Sequence, residues 1–323
     1  MERVAIIGPI DEIGKNTIKE GLQEFECIEV NTESEYEEKL KNVQYAILRT
    51  LKLKAESIAL APHLKYIQRW GAGFDSVDIV YAGEKNIPVG VLPGVNSTPV
   101  AEFTILLMLA TLRHLLNINQ NIRTGKQRDE GLLAKAYVLE GKIVGLMGMG
   151  NIGKKVASRV QSFGSKVIYY DAFRLKPETE RKLNVEYVEL KELMKKSDVL
   201  SIHVPLIDST RHVINKEMLN LMKPNAIIIN TSRGGIIEEN DLCEALRSNK
   251  ILGAGLDVFE QEPASQDNPL VCLDNVVASA HCAGNSIDNS VTMGRLCVEN
   301  VKKIAQGEKI TEPTLVNSKY LKF

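Results

Sequence analysis

Three residues in the second half of the chain have types that suit proton transfer and anion binding. Each stands just past a strand-like apolar run. Arg233 lies in Asn230-Thr231-Ser232-Arg233-Gly234-Gly235, Glu262 in Asp257-Val258-Phe259-Glu260-Gln261-Glu262-Pro263, and His281 in Ser279-Ala280-His281-Cys282-Ala283-Gly284. An imidazole titrates near neutral pH and can take or return a proton. A carboxylate beside it orients the ring and stabilises its charged form. A guanidinium offers a fork of donors that holds a carboxylate and polarises a neighbouring oxygen. Taken singly, each has a plainer reading: a surface arginine, a turn residue before Pro263, a histidine bonded to backbone. Cys282, next to His281, raises the option of a nucleophilic thiol, but the proton-transfer role for the histidine is preferred.

A second constellation precedes these. Gly148-Met149-Gly150-Asn151-Ile152-Gly153 is a GxGxxG motif that follows one strand-like run and opens a helical pattern, and Asp171 closes the next strand. In that context the spacing points to a dinucleotide. Gly148 allows the tight turn, Gly150 lets the backbone approach a pyrophosphate, and Gly153 lets the helix pack closely. The helix start offers N–H groups and a positive dipole end to phosphates. The Asp171 carboxylate accepts from ribose hydroxyls and repels a 2′-phosphate, which favours NAD over NADP. Arg174, three residues on, weakens that preference.

The elements that must position these residues follow from the apolar pattern. Val4–Ile7, Tyr45–Leu48, Leu64–Ile67 and Pro88–Val91 read as strands with charged helical stretches between them. A second series runs through Lys142–Met147, Lys166–Tyr170, Val199–Ile202, Ala226–Ile229 and Val276–Ser279, with helical patterns at 154–163 and 238–248. Such alternation predicts parallel sheets covered on both faces. A long helix is expected from Thr98 as N-cap and Pro99 to about Gly125, with Phe103–Leu112 apolar all round and therefore buried between domains or subunits. A last helix, 288–307, could return to the first domain. The length of 323 residues exceeds what one core usually supports, so two domains are expected. The expected boundaries are 1–97 with 291–323 for a substrate domain and 98–290 for an NAD-binding domain. With 40 basic and 41 acidic residues, the overall balance gives no charge footprint for nucleic acid or membrane, though a binding patch on one face stays open. No signal-peptide pattern opens the chain, and the longest apolar run is about half of a membrane span. A cytoplasmic enzyme with five reduced cysteines is the expectation. No histidine pair has metal-ligand spacing, and no metal is expected.

Together these segments resemble the D-isomer-specific 2-hydroxyacid dehydrogenase family, which includes phosphoglycerate, D-lactate and formate dehydrogenases and hydroxypyruvate and glyoxylate reductases. The likeness runs from Arg49 to about Gly307. It rests on the glycine fingerprint, the Arg-Gly-Gly segment, Asp-Val-Phe-x-x-Glu-Pro and the late histidine, in family order. It implies an α/β architecture of two doubly wound domains, an NAD-binding Rossmann domain inserted in a flavodoxin-like substrate domain. It places the family's catalytic residues on Arg233, Glu262 and His281. The implied activity is hydride transfer between nicotinamide and C2 of a 2-hydroxy acid. The implied NAD contacts are Gly148, Gly150, Asn151, Ile152, Gly153, Asp171, His203, Val204, Pro205, Thr231, Ser232, Arg233, Asp257, His281, Ala283 and Gly284. His203 is read as a contact rather than a catalyst.

By the same resemblance, Arg69-Trp70-Gly71-Ala72-Gly73 forms an anion cradle for the substrate carboxylate. Trp70 either walls that pocket or packs the core. Arg49 and Arg69 fall where phosphoglycerate dehydrogenases carry basic residues, yet Leu51 stands where some relatives have a second one. A phosphorylated substrate and a plain glycerate–hydroxypyruvate or glyoxylate pair both stay open. The helix after Thr98 resembles the family's dimer element, so a homodimer is expected. The rival reading is an NAD-sensing corepressor of the same fold, which shares the triad and is separated by turnover. A formate-type enzyme would carry glutamine in place of Glu262.

Overall fold

The computed structural model describes residues 1–126 and 128–322. The chain divides into two compact units, Met1–Asn96 with the stretch from Asn285 onward, and Ser97–Gly284. The sequence reading put the return at 291. It comes earlier because Ser286 caps the helix Ile287–Ala305, accepting from the Asn289 amide at 3.2 Å, and that helix packs within the first unit.

The first unit holds strands β1 (Arg3–Ile7), β2 (Glu26–Val30), β3 (Tyr45–Leu48), β4 (Tyr66–Arg69) and β5 (Val89–Gly90). They form one parallel sheet in the order β2-β1-β3-β4-β5, the flavodoxin-like arrangement. The inner strand β3 is buried along its whole length, as a sheet covered on both faces requires. One cover is the pair of helices Glu12–Gly21 and Ile287–Ala305. Their close approach rests on small residues: a Cβ on Gly294 would meet Thr17 at 2.9 Å, and one on Gly21 would meet Val298 at 2.7 Å. Ser290 Oγ donates to Asp11 Oδ2 at 2.6 Å, and Asp11 Oδ1 caps the partner helix through the Gly14 amide at 2.9 Å.

The second unit holds β6 (Ile143–Met147), β7 (Lys166–Tyr170), β8 (Glu186–Tyr187), β9 (Val199–Ile202), β10 (Ile227–Asn230), β11 (Gly253–Leu256) and β12 (Val276–Ala278). Their order is β12-β11-β10-β9-β6-β7-β8, again all parallel. The order reverses at β6 and β9, which is where a doubly wound sheet opens a ligand crevice at its carboxyl edge.

Three expectations need correction. The strand expected at Leu64–Ile67 lies at Tyr66–Arg69, so Arg69 ends the strand rather than following it. Strands β2, β8 and β11 carried too little signal. In β11, Gly-Ala-Gly-Leu lacks bulk because a Cβ on Gly253 would meet the Asn275 carbonyl at 2.8 Å. One on Gly255 would meet Ile229 at 2.8 Å and Leu107 at 3.0 Å. The single helix expected to Gly125 is two, Ser97–Leu112 and Leu115–Arg123, bent by 64°. His114 adopts φ 49° at the break, and its Nε2 lies 3.2 Å from the Lys135 carbonyl. Among the described residues no single helix is long and apolar enough to cross a membrane. This bent pair passes on length and composition alone, and its first helix is mostly buried.

Candidate active site

All the site residues expected in the second unit follow carboxyl ends of its parallel strands, so they share one edge of the sheet. Asn230 ends β10 and folds the next turn. Its Oδ1 accepts from the Ser232 amide at 3.0 Å and the Ser232 hydroxyl at 2.8 Å, while its Nδ2 donates to the Arg233 carbonyl at 2.9 Å. Arg233 NH1 donates to the Ser232 carbonyl at 2.7 Å. Beyond it, Gly234 presses on the loop after β11: a Cβ there would overlap the Phe259 carbonyl. That contact brings Arg233 beside the segment carrying Glu262.

Glu262 Oε1 accepts from the Phe259 amide at 3.1 Å, and Oε2 lies 2.7 Å from His281 Nδ1. Burial favours the neutral acid. The His281 hydrogen bond and charge, the Phe259 amide and the Arg233 guanidinium outweigh it, and the carboxyl lies below its usual value. His281 itself sits at φ 49°, an unusual conformation for a residue with a side chain. Asp257 holds it there. The Asp257 carbonyl accepts from the His281 amide at 2.7 Å; Oδ1 accepts from Cys282 N at 2.9 Å and Ser279 Oγ at 2.7 Å, and Oδ2 from Ala283 N at 2.9 Å.

The glycine motif forms the turn between β6 and the helix Asn151–Ser162, with Gly150 as its N-cap. Gly148 has φ 103° and lies against His203, whose carbonyl a Cβ would meet at 2.8 Å. A Cβ on Gly153 would overlap the Gly148 carbonyl, so this glycine packs the helix on its own turn. A Cβ on Gly150 would meet nothing within 4 Å. Asp171 follows β7 and receives the Met149 amide at 2.7 Å and the Phe173 amide at 2.9 Å. His203 follows β9; its Nε2 lies 2.9 Å from Ser201 Oγ, and its Nδ1 is buried with no hydrogen-bond partner among the described residues. Burial pushes this imidazole down to about 3, so it is neutral and no proton carrier. Val204 and Pro205 continue the same strand end.

Comparisons with known proteins bear on the family of the whole chain. The model of the NAD binding domain of D-isomer specific 2-hydroxyacid dehydrogenases matches residues 105–283. Hydroxypyruvate reductase from Thermotoga maritima is 41% identical over 308 residues, 93% of this chain and 97% of that protein. Glyoxylate reductase from Thermofilum pendens is 41% identical over 293 residues, 88% and 86% of the two. D-Lactate dehydrogenase from Aquifex aeolicus, solved with NAD and lactic acid, superposes with a TM-score of 0.86 at 30% identity over 98% and 99% of the chains. The chain belongs to the D-isomer specific 2-hydroxyacid dehydrogenase family.

The family's cofactor, NAD, fits the residues present. The first-turn amides of Asn151, Ile152 and Gly153 have no partners inside their own helix, and the space over Gly150 is open. Several expected contacts prove to be spent internally. The Thr231 hydroxyl lies 2.9 Å from that of Thr104 in a buried pair, and the Ser232 hydroxyl serves Asn230. Asp257 is 1% exposed and already accepts three hydrogen bonds, of about four that a carboxylate can take. The surroundings of the thiol beside His281 disfavour its reactive thiolate: burial, then the Asp257 charge, raises Cys282 above its ordinary value.

In the first unit Trp70 is 6% exposed and packs the core with Ile10 and Leu92, one of the two roles left open for it. A Cβ on Gly14 would meet its ring at 2.8 Å. The Arg69 guanidinium braces backbone, donating to the carbonyls of Gly73 at 2.9 Å and Leu48 at 2.8 Å and to that of Arg49. Arg49 donates to the Pro9 carbonyl and to Asn285 Oδ1 at 3.1 Å. Gly71 takes φ 122°, and the amides of Ala72 and Gly73 make no hydrogen bond among the described residues. Sequence reasoning missed Asn230, Gly234 and the structural use of Asp257. Gly234 had a signal in the Arg-Gly-Gly triplet, but nothing in it showed what the glycine touches. Another unexpected cluster is His212, between Glu238 at 3.2 Å and Glu260 at 2.8 Å; both ring nitrogens already face carboxylates.

Proposed function

We propose that the protein is an NAD-dependent 2-oxoacid reductase and D-2-hydroxyacid dehydrogenase with His281 as acid–base group, Glu262 as its support and Arg233 as substrate anchor. The observation that carries this is the 2.7 Å contact of His281 Nδ1 with Glu262, set on the strand edge that bears the glycine turn. Nδ1–H directed at the carboxylate leaves Nε2 as the nitrogen that exchanges a proton with the C2 oxygen. When bound, the reduced cofactor supplies the hydride for C2. In reduction the His281 imidazolium gives its proton to the C2 oxygen. In oxidation the neutral ring takes it back, and Glu262 stabilises the resulting charge. Arg233 holds the substrate carboxylate and polarises the C2 oxygen. Cofactor contacts come from the amides of 151–153, from Asp171, from the strand end 203–205, and from the segments 231–233 and 281–284, with one remaining lone pair of Asp257.

In the first unit the Ala72 and Gly73 amides are suited to a carboxylate. The two arginines there are engaged with backbone carbonyls, which favours an unphosphorylated substrate such as glyoxylate or hydroxypyruvate, the substrates named for the two relatives. A homodimer is supported by exposed apolar side chains at Leu106, Leu115, Leu116, Ile122 and Val138. A cytoplasmic setting is supported by five unpaired cysteines. Steady-state assays with NADH against glyoxylate, hydroxypyruvate, pyruvate and 3-phosphohydroxypyruvate test the reading. Turnover highest on the first two is expected. Tight NADH binding with no turnover on any would overturn it in favour of a cofactor-sensing protein.

A further inference from the structure

Arg174 stands three residues after Asp171, where a cation would be placed to receive the 2′-phosphate of NADP. Its guanidinium is already committed. Nε and NH2 donate to Glu180 Oε1 and Oε2 at 2.8 and 3.1 Å, a two-point pair, and the carbon at its centre lies 4.8 Å from the centroid of the Tyr187 ring. Glu180, in the helix Pro177–Leu183, is itself fixed. Its Oε1 accepts from the hydroxyl of fully buried Tyr169 at 2.7 Å, and that hydroxyl accepts from the Leu175 amide at 3.0 Å. The Glu180 side chain is only 12% exposed, whereas that of Arg174 is 58% exposed. The Arg174 hydrogen bonds, then that of Tyr169, hold the Glu180 carboxyl down at about 2, so it is charged under all working conditions. Neither Tyr169 nor Glu180 is part of the glycine motif.

We propose that Glu180 is a positioning residue for coenzyme choice, holding Arg174 in an internal pair so that NADP finds no cation for its 2′-phosphate. Two physical routes lead to the same preference. If Arg174 stays on Glu180, the phosphate faces Asp171 without a countercharge. If Arg174 were shared, the phosphate would be drawn toward the Glu180 carboxylate, and like charges in one small site repel. The chain therefore rejects NADP twice, once by the charge of Asp171 and once by withdrawing the receptor. The inference rests on the reading of Asp171 as the ribose-binding carboxylate, and it concerns affinity rather than the hydride step.

The test is calorimetric titration of the full-length protein with NADH and with NADPH. Asp171→Ser alone should weaken NADH and give weak NADPH binding. Adding Glu180→Gln, which keeps an acceptor for Tyr169, should tighten NADPH roughly tenfold, the scale of one charge-assisted contact, with NADH unchanged. Adding Arg174→Ala to that pair should erase the gain. Arg174→Ala in the Asp171→Ser background, with Glu180 intact, should leave NADPH affinity as it was. Glu180→Ala, read in parallel, serves if the glutamine variant fails to fold. Equal NADPH affinity with and without the Glu180 change would overturn the proposal. So would a loss of NADPH affinity on removing Arg174 while Glu180 is present. Unchanged NADH affinity in Asp171→Ser would instead remove the ribose reading, independently of the NADPH results.

Discussion

At His281 the geometry fixes a tautomer. The Glu262 carboxylate 2.7 Å from Nδ1 makes Nδ1–H the donor, and the other nitrogen is left for chemistry. The sign of the Glu262 shift sets a pH dependence. Its folded pKa lies below the usual 4.5, so its contribution to stability is present above that value and is lost as pH falls through the lower, folded one. Chemical denaturation of the wild type and of Glu262→Gln should therefore differ at about pH 5, and the difference should close as pH falls below that. A gap that widens on acidification below about pH 5 would contradict the assignment. Cys282 gives a second residue-scale prediction. Because its thiol is held above the ordinary range, iodoacetamide should label it at pH 7 more slowly than it labels a free cysteine peptide. Cys282→Ala should retain most activity.

At the scale of elements, glycines divide into those the fold needs and those the ligand needs. Gly234 has no room for a Cβ against Phe259, so Gly234→Ala should destabilise the protein by about 1–3 kcal/mol and displace Arg233 from the Glu262 loop. Gly150 has ordinary φ and open space, so Gly150→Ala should leave the unfolding free energy within about 0.5 kcal/mol of wild type. The same change should weaken NADH at least about tenfold, because the added carbon stands where the pyrophosphate approaches. Thermal melts and NADH titration on the two variants check both halves. These turns also show why part of the site was legible. The common placement of Arg233, Glu262 and His281 could be read from the sequence because each follows an apolar strand in a parallel sheet, and such strands put their carboxyl ends on one edge. Arg69 and Trp70 could not, because a strand end does not say which way its side chains turn. Trp70 is drawn inward by the missing side chain of Gly14, and Arg69 by carbonyls of two neighbouring turns. Strand β11 was hidden for a related reason. The bulk that would mark it is absent because the helix Ser97–Leu112 lies on it.

For the whole molecule, the second unit carries exposed apolar side chains on neighbouring helices. Leu106 is 52% exposed and Ile122 67%, on the two helices that meet at His114. On the proposed homodimer, charge placed there should disrupt self-association without touching the strand edge. Leu106→Asp combined with Leu116→Asp is expected to convert a dimer to a monomer in light scattering, with NADH affinity retained. A wild-type monomer, or a double variant that stays dimeric, would remove that assignment.

The direct test of the central claim is a single-turnover measurement of NADH oxidation with excess glyoxylate or hydroxypyruvate, comparing the wild type with His281→Asn after NADH affinity has been measured for each. The account predicts equal NADH affinity and a rate lower by about 10²–10⁴ in the variant, the usual share of a positioned acid–base group. A His281→Asn protein that turns over within about tenfold of wild type would contradict it, because proton transfer would then run through some other group.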